Sequence, residues 1–218
     1  MKFRDRIEAG RLLAARLHHL KAQPIVVLGL PRGGVPVAYE VAKALGAPLD
    51  VIVVRKLGMP FDPELGMGAI GEDGVKIINE EMVKLAGVDD RVIARVEARE
   101  REELDRRARR FRGDRPRLPL EGMTAVIVDD GIATGSTARA ACQVARAHGA
   151  ARVVLAVPVA PPDWVKRMGT DADEFVCIAT PEPFYAVGQF YTDFTQTSDD
   201  QVVGCLERAD TRGRQAIR

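Results

Sequence analysis

Five short, largely apolar runs rich in β-branched residues constrain the fold of this chain more than any other feature. In chain order they occupy 24–29, 49–54, 123–128, 152–157 and 174–178. Runs of this length without polar alternation are typical of strands that are buried on both faces. Helical patterns at 35–45 and 137–148 follow the first and third runs. The alternation predicts an α/β domain with an open, mainly parallel sheet covered by helices on both faces.

Further helices are predicted at both ends of the chain. Residues 5–22 have apolar residues near helical spacing, and 161–168 has the pattern of a short helix. A last helix is expected to start at Thr197 or Ser198, since either hydroxyl can cap it and acidic residues follow in the first turn.

The composition fits one domain over 1–218 and excludes several classes of protein. The chain has 46% hydrophobic residues, 29% charged residues and a net charge of +1, so it is neither disordered nor broadly basic. Nucleic acid is therefore not an expected partner. No apolar run reaches the roughly 18 residues of a membrane span, and no signal-peptide pattern is present, so we expect a cytoplasmic protein. The three cysteines fit reduced thiols better than disulfides or a zinc site.

The segment 57–117 interrupts the strand–helix rhythm and is predicted to be an insert that forms a hairpin and a lid. Its first part is rich in glycine and proline, with a hairpin turn expected at 72–74. Its second part, 89–112, is a charged helix with acid–base pairs four residues apart. A solvated helix face is the favoured interpretation, and an anion- or RNA-binding surface is the alternative.

The stretch 125–137 carries the main functional signal. Four apolar residues end in Asp129 and Asp130, and a loop of small and hydroxyl residues then opens a helix. Ligands of open α/β sheets bind at the carboxyl ends of the strands, and free N–H groups at a helix start suit a phosphate. Paired carboxylates can accept hydrogen bonds from vicinal hydroxyls. The combination predicts a pocket for a ribose 5-phosphate.

This stretch resembles the 5-phosphoribosyl-1-pyrophosphate (PRPP) binding motif of type I phosphoribosyltransferases, with four apolar residues, two acids and then Thr-Gly-x-Thr. The resemblance covers about 24–56 and 120–180. It implies that Asp129 and Asp130 bind the ribose 2- and 3-hydroxyls. It also implies that the 5-phosphate is surrounded by Ala133, Thr134, Gly135, Ser136 and Thr137.

A loop after the first strand extends the resemblance, because the family places its pyrophosphate loop there. Arg32 offers a bidentate guanidinium, and Gly33 and Gly34 expose backbone N–H groups to an anion. The family often has a basic residue after the second strand, which makes Lys56 a candidate pyrophosphate ligand and Arg55 a weaker one. The alternative for this loop is an ordinary turn with a surface arginine.

The acceptor is less well marked. Five of the eleven aromatic residues of the chain lie within 181–194, after the last predicted strand. Phe184 and Tyr185 are candidates for stacking on an acceptor base, and packing against the core or a second subunit is equally open. Ala133 occupies a position that is acidic in 6-oxopurine enzymes of the family, which argues against hypoxanthine or guanine. The C-terminal part, 179–210, is expected to form an aromatic loop and a helix, and a small hood is expected beside the main sheet.

The sequence thus predicts transfer of a phosphoribosyl group from PRPP to a nitrogenous acceptor, with a nucleobase favoured, and release of pyrophosphate. The family resemblance implies Mg²⁺, bound through PRPP, as the cofactor. Arg32, Lys56, Asp129 and Asp130 are the predicted catalytic residues, and a homodimer is compatible with the pattern. The first alternative is a regulatory protein that binds PRPP or nucleotides without turnover. The second is an unrelated α/β protein that binds phosphosugars.

Overall fold

The computed structural model describes residues 1–62 and 65–216. Its helices are α1 Arg6–Arg16, α2 Gly34–Leu45, α3 Glu80–Ala86, α4 Asp90–Arg112, α5 Ser136–Ala147, α6 Trp164–Met168 and α7 Asp199–Ala216. Its strands are β1 Ile25–Gly29, β2 Leu49–Val51, β3 Val54–Gly58, β4 Gly66–Gly71, β5 Lys76–Ile78, β6 Thr124–Val128, β7 Arg152–Val159 and β8 Glu174–Ala179. Single turns of 3-10 helix follow α1 at His18–Leu20 and precede α7 at Val187–Phe190.

The main sheet is parallel and has the strand order β2-β1-β6-β7-β8. Val27 of β1 pairs with Leu49 on one side and with Val126 on the other. The chain therefore leaves β1 toward one edge of the sheet and returns through β6 toward the other edge. The boundary between β1 and β6 is the topological switch point, where loops leave in opposite directions and open a crevice.

Helices cover both faces of this sheet, as predicted. One core is formed by α1, α2, α4 and α7 against residues such as Val27 and Val126. The second core is formed by α5 and α6 against the opposite-facing residues, such as Leu28 and Ile127. Successive strand residues thus serve different cores, which explains why the apolar runs show no alternation.

The predicted second strand, 49–54, is wrong in extent because the structure divides it. β2 ends at Val51, and Val54 begins a separate antiparallel sheet of order β3-β4-β5. Ile52 and Val53 are buried although they lie between the strands. Burial in a connection and burial in a strand require the same apolar residues, so the run itself does not reveal the break.

The region predicted as an insert, 57–117, contains most of this second sheet and α4, and the sheet begins slightly earlier, at Val54. The expected hairpin joins β4 to β5, with Asp73 and Gly74 both at positive φ. The helix predicted over 89–112 is α4. Its acid–base pairing is only partly as predicted, since Arg106 binds Glu103 rather than the residue four positions earlier.

Helix α4 also departs from a simple solvated face because two of its charged side chains are buried. Glu100 binds Arg55 of β3 at 2.5 Å, and Arg112 binds Asp50 of β2 at 3.0 Å. Arg112 contacts Glu72 in the hairpin as well. These ion pairs connect the helix to both sheets.

The C-terminal segment 181–194 packs with the N-terminus, and together they form a small structure called the hood. Phe3 donates a backbone hydrogen bond to Phe190 at 2.8 Å, and its ring contacts that of Tyr191. The last helix is capped by Ser198 rather than Thr197: the Ser198 Oγ accepts from the Gln201 N–H at 3.2 Å, and the Gln201 side chain accepts from the Ser198 N–H at 2.8 Å. Within the described residues, no helix has the length and apolar character needed to cross a membrane.

Candidate functional site

Two loops meet at the switch point between β1 and β6. The loop after β1 contains Arg32 and leads into α2, while the loop after β6 starts at Asp129 and leads into α5. The Leu30 N–H donates to the Val128 carbonyl at 2.9 Å, so the two loops begin side by side. The structure therefore brings together the two segments that the sequence selected as phosphate-binding loops.

Asp129 and Asp130 lie at the carboxyl end of β6, and each is only partly exposed. The Asp130 N–H donates to the Asp129 carboxylate at 2.9 Å. Burial, reinforced by the neighbouring Asp130 charge, raises the pKa of Asp129 well above its ordinary value. Burial also raises the pKa of Asp130, although Arg6 opposes this shift. A group that supplies hydroxyl donors or positive charge here would relieve the cost of these buried carboxylates.

Arg6 of α1 is a site residue that the sequence analysis missed. Its Nε donates to the Asp130 carboxylate at 2.8 Å, and both side chains are nearly buried, at 12% and 13% exposure. Its guanidinium carbon lies 4.1 Å from the centroid of the Phe194 ring in the hood. The sequence around Arg6 gives no signal of this role, because Arg6 is one of several charged residues of both signs in this helix.

Tyr191 is a second missed residue. Its hydroxyl donates to the Asp130 carbonyl at 2.6 Å. Burial raises the pKa of this phenol, so the hydroxyl stays protonated and remains a donor. The hood therefore holds Asp130 in two ways: Tyr191 binds the Asp130 backbone directly, and Phe194 contacts Arg6, which binds the Asp130 carboxylate.

The loop between Ala133 and Thr137 is open to solvent. Ala133, Thr134 and Thr137 are exposed, while Gly135 and Ser136 are half-buried. Gly135 precedes α5 with φ +82°, a conformation that favours glycine. The loop thus offers the first N–H groups of α5 and nearby hydroxyls, the donors that a phosphate site requires.

The loop after β1 packs closely against the two acids. A Cβ on Gly34 would lie 2.6 Å from the Val128 carbonyl oxygen and 2.8 Å from the Asp129 Cα, so only glycine fits. Gly33 faces the Asp130 carboxylate. The Arg32 side chain is exposed and pairs with Asp199 of α7 at 3.4 Å.

Lys56 and Arg55 do not end the second parallel strand, contrary to the prediction, but lie within β3 of the antiparallel sheet. Arg55 is held by Glu100, which argues against its weaker candidacy as a pyrophosphate ligand. Lys56 points to the opposite face of the strand, the face that Val54 shares with α5 and its core. The role of Lys56 as a pyrophosphate ligand stays a prediction.

A cleft of about 710 Å³ lies beyond the ends of β7 and β8. Phe184 and Glu182 line it on one side, and Pro161 and Asp163 on the other. The Phe184 ring packs against Phe190 of the hood with the two rings tilted by 35° and their centroids 5.1 Å apart. Of the two predicted acceptor residues, only Phe184 lines this cleft. Tyr185 is 83% exposed and lies outside it.

The described part of the chain contains no group of three or more His, Cys, Asp or Glu side chains arranged to hold a metal ion. Asp129 and Asp130 nevertheless offer carboxylate oxygens, the donor type that Mg²⁺ prefers. Together with the oxygens of a bound pyrophosphate they would suit this ion, which ordinarily binds through one or two carboxylates plus phosphates.

Comparison with known proteins identifies related folds and the family of the chain. A chain in the crystal structure of TT1426 from Thermus thermophilus has a TM-score of 0.89 and 45% identity, covering 95% of this chain and 99% of that one. The structure of AQ2163 from Aquifex aeolicus, at 13% identity and a TM-score of 0.50, covers 92% of this chain and 86% of that one and shares the fold alone.

A Mycobacterium tuberculosis protein named "Putative phosphoribosyl transferase Rv0571c" is 63% identical over 207 residues, or 95% of this chain. The alignment takes up 47% of that protein, so the chain spans about half the length of the curated relatives it matches. The family model named "Phosphoribosyl transferase domain" matches residues 4–195 of this chain. The chain therefore belongs to the phosphoribosyl transferase family.

Proposed function

We propose that the protein transfers the 5-phosphoribosyl group of PRPP to a nitrogenous acceptor and releases pyrophosphate. The observation that carries this proposal is the junction of two loops at the β1/β6 boundary, one with paired, largely buried carboxylates and an open helix start, the other with Arg32. A diol, a phosphate and a pyrophosphate each find complementary groups within this junction.

The acids would grip the ribose. Asp129 and Asp130 accept hydrogen bonds from the 2- and 3-hydroxyls, while the N–H groups of 133–137 hold the 5-phosphate. As the bond to pyrophosphate breaks, positive charge grows on the anomeric carbon and the ring oxygen. The two carboxylates then lie beside this charge, and Arg6 keeps Asp130 fixed in position.

The leaving group would be stabilised from the other loop. Arg32, the N–H groups of Gly33 and Gly34, and Lys56 present positive charge and donors to the pyrophosphate as its negative charge increases. Mg²⁺, when bound with PRPP, supplies further neutralisation of the pyrophosphate oxygens. The hairpin sheet and α4 would limit access of water, which competes with the acceptor.

The acceptor would enter the cleft beside Phe184. One face of this ring packs on Phe190, and an aromatic acceptor could stack on its exposed side. Glu182 provides a carboxylate at the rim that can accept hydrogen bonds from N–H groups, while Asp163 is paired at 2.7 Å with Arg167, which also lines the cleft. This favours an acceptor that carries amino or ring N–H donors.

The regulatory alternative, PRPP binding without turnover, gains no support from the comparisons. Both functions are tested by one experiment. The protein is incubated with PRPP, Mg²⁺ and a pool of nucleobases and amines, and pyrophosphate and new nucleotides are followed by mass spectrometry. A new nucleotide together with stoichiometric pyrophosphate is expected. Stoichiometric PRPP binding without any product across the pool would instead favour the regulator.

A matched pair of variants tests the acceptor cleft. Phe184→Ala is expected to raise the KM for the acceptor with little change in the KM for PRPP. Tyr185→Ala serves as the control, because Tyr185 lies outside the cleft. Equal effects of the two substitutions would remove Phe184 from the acceptor site.

A further inference from the structure

A concave pocket lined by four arginines lies beside the loop after β1. Its volume is about 280 Å³, and its charged lining consists of Arg32, Arg106, Arg107, Arg110 and Asp199. Three of these arginines belong to α4, where Arg110 follows Arg106 by four residues and Arg107 by three, so all three lie on one side of that helix. The pocket therefore concentrates guanidinium groups that the sequence alone shows only as scattered charges.

The pocket lies on a different face of the main sheet from the 5-phosphate loop. It is built by α4 and the start of α7, which pack on the same side as α2 and form the first core. The loop 133–137 opens α5, which belongs to the second core. Arg32 lines the pocket and belongs to the loop after β1, so the pocket adjoins that loop. An anion held by the arginines of α4 would thus occupy a site beyond the ribose phosphate.

Two of these arginines already have a close partner within their own helix. Glu103 binds Arg106 at 2.7 Å and Arg107 at 2.6 Å. Each guanidinium has five N–H donors, so a contact with one carboxylate leaves further donors for an anion in the pocket.

The acids of α7 pair with the remaining arginines unequally. Asp199 is 3.4 Å from Arg32 and 3.7 Å from Arg110, which is long for charge-assisted hydrogen bonds. Arg110 also binds Asp200 at 2.5 Å, but the Asp200 side chain is 86% exposed and does not line the pocket. Inside the pocket, a single carboxylate thus spans two guanidinium groups without a close contact to either. An anion with more oxygens would fill this position better.

We propose that this pocket is a second anion site, which binds an oligophosphate chain in place of the Asp199 carboxylate. Several guanidinium forks in one concave site match the oxygens of successive phosphates, since each fork can donate two parallel hydrogen bonds. The volume is below the 300–1,000 Å³ of typical small-molecule pockets, so a phosphate chain fits while a nucleoside attached to it would remain outside. On binding, Asp199 withdraws and the phosphates contact Arg32 and Arg110.

Calorimetric titration of the full chain with inorganic tripolyphosphate at about 0.15 M salt tests this site, because weak surface attraction is screened there. The double variant Arg106→Gln/Arg110→Gln is expected to weaken binding at least tenfold. The control Arg91→Gln/Arg95→Gln removes the same charge from exposed positions of α4 and is expected to change affinity less than twofold. Asp199→Asn removes the competing carboxylate and is expected to tighten binding severalfold.

Equal losses in the two double variants would show nonspecific attraction and overturn the proposal, as would an unchanged affinity in Asp199→Asn. Stronger binding of an RNA oligonucleotide than of tripolyphosphate, with both double variants equally affected, would point to an RNA surface and also overturn it. Titration with ATP tests whether the phosphate chain can come from a nucleotide. Equal affinity for ATP and tripolyphosphate is expected if the nucleoside stays outside the pocket. PRPP titrations separate this site from the proposed function: Asp129→Asn/Asp130→Asn should lose PRPP and keep tripolyphosphate, whereas Arg106→Gln/Arg110→Gln should lose tripolyphosphate and keep PRPP.

Discussion

Arg6 of the first helix donates a hydrogen bond to the carboxylate of Asp130, 124 residues later, across 2.8 Å. The same guanidinium donates to the Thr195 carbonyl at 2.8 Å and stacks on Phe194. One side chain thus joins the N-terminal helix, the hood and the acid pair at the end of β6. This contact fixes the orientation of a carboxylate that the proposed mechanism uses to hold ribose.

Replacing Arg6 should change PRPP binding and its dependence on pH. Arg6 opposes the rise in the pKa of Asp130, so Arg6→Gln raises that pKa further. PRPP affinity is expected to fall about tenfold near neutral pH and to decline on acidification at a higher pH than in the parent protein. Titrations between about pH 5 and 8 measure this.

Two further variants make the Arg6 test specific. Arg6→Lys keeps a positive charge and is expected to restore part of the affinity. Arg4→Gln removes an arginine that is 66% exposed and should have no effect. A loss of affinity in Arg6→Gln with an unchanged pH profile would assign Arg6 a purely structural role.

The charge of Asp129 should lower the stability of the folded protein, although the proposed mechanism needs this carboxylate to bind PRPP. Burial and the Asp130 charge raise its pKa in the folded state, so above its unfolded pKa the native protein binds more protons than the unfolded chain. Stability then falls as pH rises from that point through the folded pKa. Asp129→Asn, which keeps an acceptor for the Asp130 N–H, is expected to raise the Tm at pH 7, by about 2–4 °C for each kcal/mol gained.

Calorimetry at two pH values checks this sign. The gain from Asp129→Asn should vanish below about pH 3.8, where the carboxyl is protonated in both states. The same variant should bind PRPP more weakly. A lower Tm at pH 7 would contradict the inference that the charge of Asp129 destabilises the folded state.

The close approach of the two loops makes Gly34 intolerant of a side chain. Gly34→Ala places a Cβ 2.6 Å from the Val128 carbonyl oxygen, and this contact is with backbone that cannot rotate away. We expect a loss of about 1–3 kcal/mol in the free energy of unfolding together with weaker pyrophosphate binding. Gly66→Ala is the control, because its Cβ would meet nothing within 4 Å. Urea unfolding that gives both variants equal stability would refute the contact.

The buried ion pairs of Arg112 should be essential for attaching α4. Arg112 and Asp50 are 7% and 6% exposed, and Glu72 shares the same guanidinium. Arg112→Met removes the cation shared by the Asp50 and Glu72 carboxylates, although Asp50 still accepts from the Val51 and Leu118 N–H groups, and is expected to lower the free energy of unfolding by about 3–5 kcal/mol. Arg109→Met, at an exposed position one turn earlier, should cost less than about 0.5 kcal/mol. Chemical denaturation of both variants compares the two positions, and a similar cost would contradict a structural role for the Arg112 cluster.

The parallel sheet could be predicted from the sequence because central strands such as β1 and β6 are buried on both faces, which leaves an uninterrupted apolar run. The break between Val51 and Val54 could not, since the buried connection is as apolar as the strands it joins. The loop after β6 could also be predicted, because its residues are consecutive in the sequence and form a recognisable motif. The contribution of Arg6 is not visible, because it depends on packing between residues more than a hundred positions apart.

The interpretation of α4 shows the same limit. Spacing of four residues predicted the pairs Glu97–Arg101 and Glu103–Arg107, which the structure contains. It could not distinguish Arg112, which is buried between two sheets, from the exposed arginines beside it. Charge alone does not reveal which side chains meet a tertiary partner.

The central claim is that Asp129 and Asp130 hold the ribose of PRPP, and calorimetric titration with PRPP and Mg²⁺ tests it most directly. The Asp129→Asn/Asp130→Asn variant is expected to bind at least tenfold more weakly while remaining folded. The control Asp105→Asn/Asp114→Asn removes the same charge from exposed positions and should bind as the parent does. Unchanged PRPP affinity in the Asp129→Asn/Asp130→Asn variant would contradict the account.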